Sequence, residues 1–274
     1  MELELLRWVQ SFASPALDVF FQVVTMLGEQ WIVVLALAAV YWLADKQTGE
    51  ELAFTLLLSG LSNNILKGVF RLERPIGQEG IRSLRQHTAT GYSFPSGHSQ
   101  NAATLYFFPA RRWGGWWYAA AAGVSLLVGL SRLYLGVHYP KDVAAGIGLG
   151  IAMAWIGPAL WRRFDPIRLL GGSALLCLPL CLLLGQRDLY KAFGLLLGFW
   201  AGIAFERRFV RFSCQAPRWK KAVRLLVGLA ALGVLQFGMK AVLPQAMWCD
   251  ALRYALLVFA GFGAYPLLFS KAGF

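Results

Sequence analysis

Apolar stretches separated by short polar segments occupy most of the chain after residue 30. Most of them approach the roughly 20 residues that a membrane-spanning helix requires, and a helix satisfies its own backbone hydrogen bonds in lipid. The pattern predicts an all-α fold, a polytopic helical membrane protein with about nine transmembrane helices. The predicted helices cover residues 30–46, 50–72, 98–112, 115–134, 141–162, 169–186, 189–208, 220–243 and 250–270.

Residues 1–29 follow a different pattern, in which apolar residues recur at helical spacing between polar ones. The apolar stripe comprises Leu17, Phe20, Phe21 and Val24. A helix with one apolar face of this kind lies in the membrane interface. We therefore predict interfacial amphipathic helices over residues 1–29.

Composition and charge agree with a membrane protein. Hydrophobic residues make up 58% of the 274 residues and charged residues only 15%, so the surplus apolar surface must face lipid. The formal net charge is +12, and the basic residues cluster between apolar stretches instead of lining one surface. That distribution is typical of cytoplasmic loops facing anionic lipid. We expect the lipid bilayer as a partner and no nucleic acid.

The basic clusters also predict the orientation of the chain. They fall on one side of the membrane if every predicted helix spans: Arg111 and Arg112, residues 162–168, and residues 207–224. By the positive-inside rule this side is cytoplasmic, so residues 73–97 and 134–140 face outward. Arg82 and Arg85 then lie outside against the trend, and their charge needs another explanation.

The first polar motif on the outer side runs from Lys67 to Pro75. On a helix, Lys67, Arg71 and Arg74 stand at positions i, i+4 and i+7 and share one face. Three converging cations repel each other unless an anion lies between them. The alternative is that they simply extend to the membrane interface.

The second motif, residues 92–104, contains Pro95-Ser96-Gly97-His98 before a small-residue helix. A helix N-terminus offers unpaired N–H groups to an anion. Ser96 can add a hydroxyl donor, Gly97 allows close approach to the backbone, and His98 can protonate a leaving alkoxide. An ordinary capped helix with an interfacial histidine remains the alternative.

The third motif, residues 131–142, contains Arg132, His138 and Asp142. Arg132 can bind two phosphate oxygens with its planar guanidinium. Asp142 can orient His138 and stabilise its cationic form, as in catalytic triads. A local contact of Asp142 with Lys141 or with the backbone is the alternative. The third histidine, His87, has no motif around it and is expected on the loop surface.

Together these residues resemble the three-part signature of the type 2 phosphatidic acid phosphatase superfamily, which includes membrane lipid phosphatases, glucose-6-phosphatase and vanadium haloperoxidases. Six residues separate Lys67 from Arg74-Pro75, five separate Arg132 from His138, and three separate His138 from Asp142. The resemblance implies catalytic residues and phosphate-binding residues. The catalytic residues are His138 as nucleophile, Asp142 as its orienting group and His98 as general acid, and the phosphate-binding residues are Lys67, Arg74, Ser96, Gly97 and Arg132. Arg71 is outside the signature and is a further candidate from helix spacing alone.

The resemblance also implies an organisation for the chain. Residues 30–165 are expected to form the phosphatase core with the three motifs, and residues 166–274 to add further transmembrane helices. This extended layout resembles glucose-6-phosphatase and the sphingosine-1-phosphate phosphatases. The resemblance implies that the phosphatase reaction needs no metal, and we expect no cofactor for this chain.

The function expected from the resemblance is metal-independent hydrolysis of a lipid phosphate or diphosphate through a phosphohistidine. Candidate substrates are undecaprenyl diphosphate, phosphatidic acid, phosphatidylglycerophosphate and a sphingoid phosphate. A sugar-phosphate phosphatase, a phosphotransferase using the same histidine and an anion transporter remain alternatives. Short loops without an Asn-X-Ser/Thr sequon favour a bacterial plasma membrane with an outward-facing site. In a eukaryote the corresponding location is the endoplasmic reticulum with a lumenal site.

Overall fold

The computed structural model describes residues 1–273, and these residues form helices joined by turns and loops. The all-α prediction is confirmed. The helices are α1 (Glu2–Ser11), α2 (Pro15–Met26), α3 (Gln30–Ala39), α4 (Lys46–Phe70), α5 (Gly97–Trp113), α6 (Trp116–Tyr134), α7 (Pro140–Arg163), α8 (Pro166–Leu184), α9 (Arg187–Phe205), α10 (Arg218–Val242), α11 (Met247–Phe259) and α12 (Tyr265–Ala272), with π-helical turns at Val40–Ala44, Glu206–Val210 and Ala260–Ala264.

The count of nine transmembrane helices is not confirmed. Within residues 1–273, six helical segments are long and apolar enough to cross a membrane, and a bent pair formed by Pro15–Met26 and Gln30–Ala44 makes a seventh if it counts as one span. Helices α5 and α6 are not among the six. Helix α5 is only 17 residues long and begins with the polar second motif, and α6 ends with Ser131 and Arg132. The polar residues of the site therefore shorten the apolar part of these two helices.

The chain divides into two compact units, of which unit 1 comprises Met1–Val33 and Leu58–Pro158 and contains all three motifs. In unit 1, small residues bring α7 against α5. A Cβ atom at Gly146 would lie 2.6 Å from the carbonyl oxygen of Ser96, and one at Gly150 would lie 2.5 Å from that of Gln100. Only glycine permits backbones to approach this closely.

A buried polar network fixes α5 against the second half of α4. Asn63 Nδ2 donates to Gln100 Oε1 over 2.8 Å, and Gln100 Nε2 donates to the carbonyl oxygen of Ser59 over 2.8 Å. The hydroxyls of Ser59 and Thr104 are also 2.8 Å apart. Buried amides and hydroxyls are costly unless bonded, so this network favours one position of α5 along α4.

The N-terminal helices pack into unit 1. Ser14 caps α2, and Phe21 of α2 is buried in a cluster with Val9, Tyr134, Leu135 and Val137. Part of the predicted apolar stripe thus contacts the loop that carries the third motif, whereas Phe20 remains 46% exposed.

Unit 2 comprises Val34–Leu57 and Ala159–Phe274. Three ion pairs, each with a buried carboxylate, join the start of α4 to the end of α7 and to the turn after α9. The pairs are Glu51 with Arg162 at 3.0 Å, Glu50 with Arg207 at 2.6 Å and Lys46 with Glu206 at 3.0 Å. Each pair gives a buried carboxylate a partner of opposite charge, because an unpaired buried charge would be strongly destabilising.

Candidate active site

The first motif leaves the helix earlier than its spacing predicts. Helix α4 ends at Phe70, and Arg71 adopts a left-handed backbone conformation with φ 48°. The expectation that Lys67, Arg71 and Arg74 share one helical face is therefore wrong. Arg71 is exposed, and its Nε donates to the carbonyl oxygen of Gly68 over 3.0 Å. The structure does not bring Arg71 to the other motif residues.

Lys67, in α4, and Arg74, in the loop after α4, nevertheless reach the same region of the protein. Buried Lys67 donates to the carbonyl oxygen of Tyr92. Arg74 donates to carbonyl oxygens on both sides of the site, including Thr90 at 2.7 Å and Val137 at 3.0 Å. Its Nη1 also lies 2.9 Å from Nε2 of His138. Arg74 thus joins the second motif to the third.

Both ring nitrogens of His138 lie close to a charged side chain. Its Nδ1 lies 3.3 Å from Oδ2 of Asp142, and its Nε2 faces Arg74. A guanidinium can only donate, so Nε2 is assigned as the acceptor and Nδ1 as the protonated nitrogen that donates to Asp142. This tautomer leaves the lone pair of Nε2 directed at the cations.

The electrostatic surroundings keep His138 neutral in the substrate-free site. Burial lowers the pKa of His138 well below its usual range, and the positive charges of Arg74, Arg132 and Lys67 lower the pKa further. A neutral imidazole is the form that can act as a nucleophile.

Ser93 completes the arrangement around Asp142 and was not predicted as a site residue. Its hydroxyl donates to Oδ2 of Asp142 over 2.5 Å and lies 3.4 Å from Nδ1 of His138. The same carboxylate oxygen accepts from the backbone N–H of Tyr139 over 2.9 Å. The only signal in the sequence was the place of Ser93 inside the second motif.

The second motif begins a helix, as predicted. Ser96 caps α5 and is fully buried, and its hydroxyl accepts from the hydroxyl of Ser99 over 2.9 Å. The N–H of Ser96 donates to the carbonyl oxygen of Asp142 over 2.9 Å. Gly97 and His98 therefore stand in the first turn of a helix whose start is bonded to the third motif.

Arg132 is fully buried, and two of its nitrogen atoms have no hydrogen-bond partner among residues 1–273. Nη1 donates to the hydroxyl of Thr25 over 2.8 Å, whereas Nε and Nη2 are unpaired. Burying a cation without acceptors is costly, and two adjacent N–H groups of a guanidinium match two oxygens of a phosphate. This arrangement fits a phosphate-binding role, and Thr25 is a further contact that the sequence did not predict.

Carboxylates of the N-terminal segment pair with Arg82 and Arg85. Arg82 forms two hydrogen bonds with Asp18, at 2.6 and 2.7 Å, and Arg85 donates to Glu29 over 2.5 Å. The charges of these two arginines are thus compensated by local ion pairs. His87 is exposed, as expected.

The comparisons with known proteins agree with this site. The chain belongs to the PAP2 superfamily: the profile of this superfamily matches residues 50–165, and a profile described as PAP2 superfamily phosphatase, transmembrane extension, matches residues 190–274. The first match contains every motif residue, and the second covers most of α9 and the helices after it but not α8. The protein is accordingly an integral membrane member of this family.

Several relatives are phosphatases of lipid phosphates by name. A probable sphingosine-1-phosphate phosphatase of Dictyostelium discoideum is 31% identical over 171 residues, which are 55% of this chain and 40% of the relative. Phosphatidylglycerophosphatase B of Bacillus subtilis is 34% identical over 112 residues, 35% of this chain and 55% of the relative. The chain thus spans about half the length of these curated relatives.

Among solved structures, the crystal structure of LpxE from Aquifex aeolicus is similar to part of this chain. The two are 29% identical with a TM-score of 0.50, and the match covers 57% of this chain and 93% of that chain.

Proposed function

We propose that this protein is an integral membrane phosphatase that hydrolyses a lipid phosphate or lipid diphosphate through a phosphohistidine on His138. The observation that carries the proposal is the geometry of His138. Its Nδ1 is 3.3 Å from Asp142, and the lone pair of its Nε2 faces Arg74 at 2.9 Å. A neutral imidazole oriented by a carboxylate beside cations supports attack on a phosphoryl group, once a phosphoryl oxygen takes the hydrogen bond of Arg74 and frees the lone pair of Nε2.

In the first step, Nε2 of His138 attacks phosphorus. The N–P bond forms, the P–O bond to the leaving group breaks, and His98 gives its proton to the departing oxygen. Lys67, Arg74 and Arg132 supply the positive charge that stabilises the phosphoryl oxygens, with Ser96 and Gly97 at the helix N-terminus beside them.

In the second step, water attacks phosphorus and the N–P bond breaks. His98, now neutral, accepts a proton from this water, and inorganic phosphate leaves. Both histidines return to their starting forms. Because three cations supply the charge that a metal supplies in other phosphatases, the reaction is proposed to be metal-independent.

The membrane character of the protein and the names of its relatives support a lipid substrate. A cavity of about 390 Å³ adjoins Arg74 and is lined by Leu72, Glu73, Ile76, Gly91 and Tyr92. It offers apolar and polar surface beside a phosphate-binding residue. The site is proposed to face the outer side of the membrane.

The proposal is tested with the full chain purified in detergent. Phosphate release is measured for lipid monophosphates, a lipid diphosphate and glucose 6-phosphate, each with and without EDTA. We expect turnover of a lipid substrate and no effect of the chelator. A preference for glucose 6-phosphate would favour a sugar phosphatase, and transfer to an added alcohol would favour a phosphotransferase.

The same assay tests the nucleophile. His138→Ala should lose about 10³- to 10⁶-fold in rate, because the attacking group is removed. His87→Ala is the matched control, since His87 is exposed on the outer loop, and it should keep full activity. Activity of His138→Ala within tenfold of the parent would refute the assignment.

A further inference from the structure

The break between α2 and α3, residues 27–29, is held against the start of α5. A Cβ atom at Gly28 would lie 2.6 Å from the carbonyl oxygen of His98, so glycine permits the contact. Asn101 Nδ2 donates to the carbonyl oxygen of Gly28 over 3.4 Å, and the hydroxyl of Tyr106 to that of Leu27 over 3.3 Å. The residue that follows Gly28 is therefore held near His98.

That residue is Glu29, and its carboxylate faces the ring of His98. Oε1 of Glu29 lies 4.0 Å from Nε2 of His98 and accepts from Nη2 of Arg85 over 2.5 Å. The side chains of Glu29 and His98 are only 12% and 14% exposed. Within the part of the chain that the structure describes, Nε2 of His98 has no hydrogen-bond partner.

The cations that face His98 oppose its protonation. They are Arg132 of α6 and, in the loop between α4 and α5, Arg74 and Arg85, whereas His138, which also faces His98, is neutral. Asp142 is already engaged by His138, Ser93 and the N–H of Tyr139. A general acid in this position needs a negative charge beside it, because burial and neighbouring cations both favour the neutral imidazole.

We propose that Glu29, held beside His98 by the packing of residues 27–29 against α5, is the positioning residue of the general acid. Its carboxylate stabilises the protonated form of His98 and orients Nε2 toward itself, which leaves Nδ1 for the departing oxygen. Each histidine of the site then has its own carboxylate, Asp142 for the nucleophile and Glu29 for the acid. The inference rests on the proposed function, because it takes His98 as the proton donor.

The test compares Glu29→Gln with the parent on two substrates over a range of pH. An alkyl phosphate needs a proton on its leaving oxygen, whereas nitrophenyl phosphate needs little help. Removing the negative charge lowers the proton affinity of His98, so the protonated acid is lost at lower pH. We expect the alkaline limb of kcat/KM to move down by about one pH unit. Alkyl phosphate turnover at neutral pH should fall about 10- to 100-fold and nitrophenyl phosphate turnover much less.

Two variants serve as controls. Glu29→Asp keeps the charge and should retain the parent's alkaline limb. Asp18→Asn removes the other carboxylate that pairs with an outer-loop arginine, Arg82, without facing His98. Any loss in Asp18→Asn should be equal for the two substrates, with the alkaline limb unchanged.

The outcomes separate this inference from the proposed function. His98→Ala is measured in parallel and should impair alkyl phosphate far more than nitrophenyl phosphate. If it does and Glu29→Gln shows neither the substrate difference nor the pH shift, the role of Glu29 is overturned and the proposed function stands. Equal losses in His98→Ala would instead remove the acid step from the proposed function.

If the Glu29 variants do not fold, Arg85→Gln provides the test. This substitution removes a cation that faces His98 and also removes the partner that neutralises Glu29. Both changes favour the protonated form of His98, so the alkaline limb of kcat/KM should move to higher pH. A limb that stays in place or moves lower in Arg85→Gln would overturn the inference.

Discussion

At the scale of single residues, Asp142 is held by three donors, of which the two local ones, His138 and the N–H of Tyr139, could be predicted from the sequence and Ser93 could not. His138 and Asp142 are four residues apart, so their pairing follows from local geometry. Ser93 reaches the same oxygen from a loop that is distant in the chain. Its contact depends on how the loop folds, which residue spacing does not encode. Glu29 was not predicted as a site residue for the same reason, because its contact with His98 also depends on how distant parts of the chain fold together.

The contact of Ser93 gives a testable prediction. Ser93→Ala removes the hydroxyl that donates to Asp142, so the carboxylate should orient His138 less well. A hydrogen bond to a charged group contributes about 1.5–3 kcal/mol, which corresponds to a loss in kcat of about 10- to 100-fold. Ser83→Ala is the control, because the hydroxyl of Ser83 donates to the carbonyl oxygen of Gly136, in the loop between α6 and α7, and not to Asp142. Equal kcat values for the two variants would argue against a role for Ser93.

The different positions of Arg71 and Arg74 give a second prediction. Arg74→Ala removes a cation that contacts His138, and kcat/KM should fall about 10²- to 10³-fold. Arg71→Ala changes an exposed side chain bonded to its own helix, and it should stay within threefold of the parent (about 0.6 kcal/mol). A loss in Arg71→Ala as large as that in Arg74→Ala would show that Arg71 binds the phosphate after all.

At the scale of helices, the start of α5 was predictable and the end of α4 was not. Pro95-Ser96-Gly97 carries the signals of a helix start, and the cap at Ser96 is present. Helix α4 ends in a left-handed residue whose N–H bonds to the carbonyl oxygen of Lys67. Such ends usually carry glycine, and the arginine at position 71 gave no such signal.

The packing of α7 against α5 gives a prediction at this scale. Gly150→Ala places a Cβ atom 2.5 Å from the carbonyl oxygen of Gln100, so the helices must separate. Overpacking of this kind costs about 1–3 kcal/mol, and the thermal unfolding midpoint in detergent should fall by several degrees. Gly148→Ala on the same helix meets no atom within 4 Å and should leave the midpoint unchanged or raised. Equal midpoints for the two variants would contradict the packing described.

At the scale of the whole molecule, hydropathy predicted the class of fold better than it predicted the number of spans. Apolar stretches identify helices, but α5 carries polar candidate site residues and has only 17 residues. It is therefore not among the six helices that are long and apolar enough to cross a membrane. Arg82 and Arg85, which the predicted orientation places against the positive-inside trend, each pair with a carboxylate of the N-terminal segment. Those pairings join residues more than fifty positions apart and could not be predicted from charge counts.

The most direct measurement for this account is the capture of the covalent intermediate. The full chain is mixed with substrate carrying a radioactive phosphoryl group, quenched within one turnover and digested. The account predicts label that is stable in alkali, labile in acid, located on the peptide containing His138 and missing from His138→Ala. Steady turnover with label on another residue, or with equal label in His138→Ala, would contradict it.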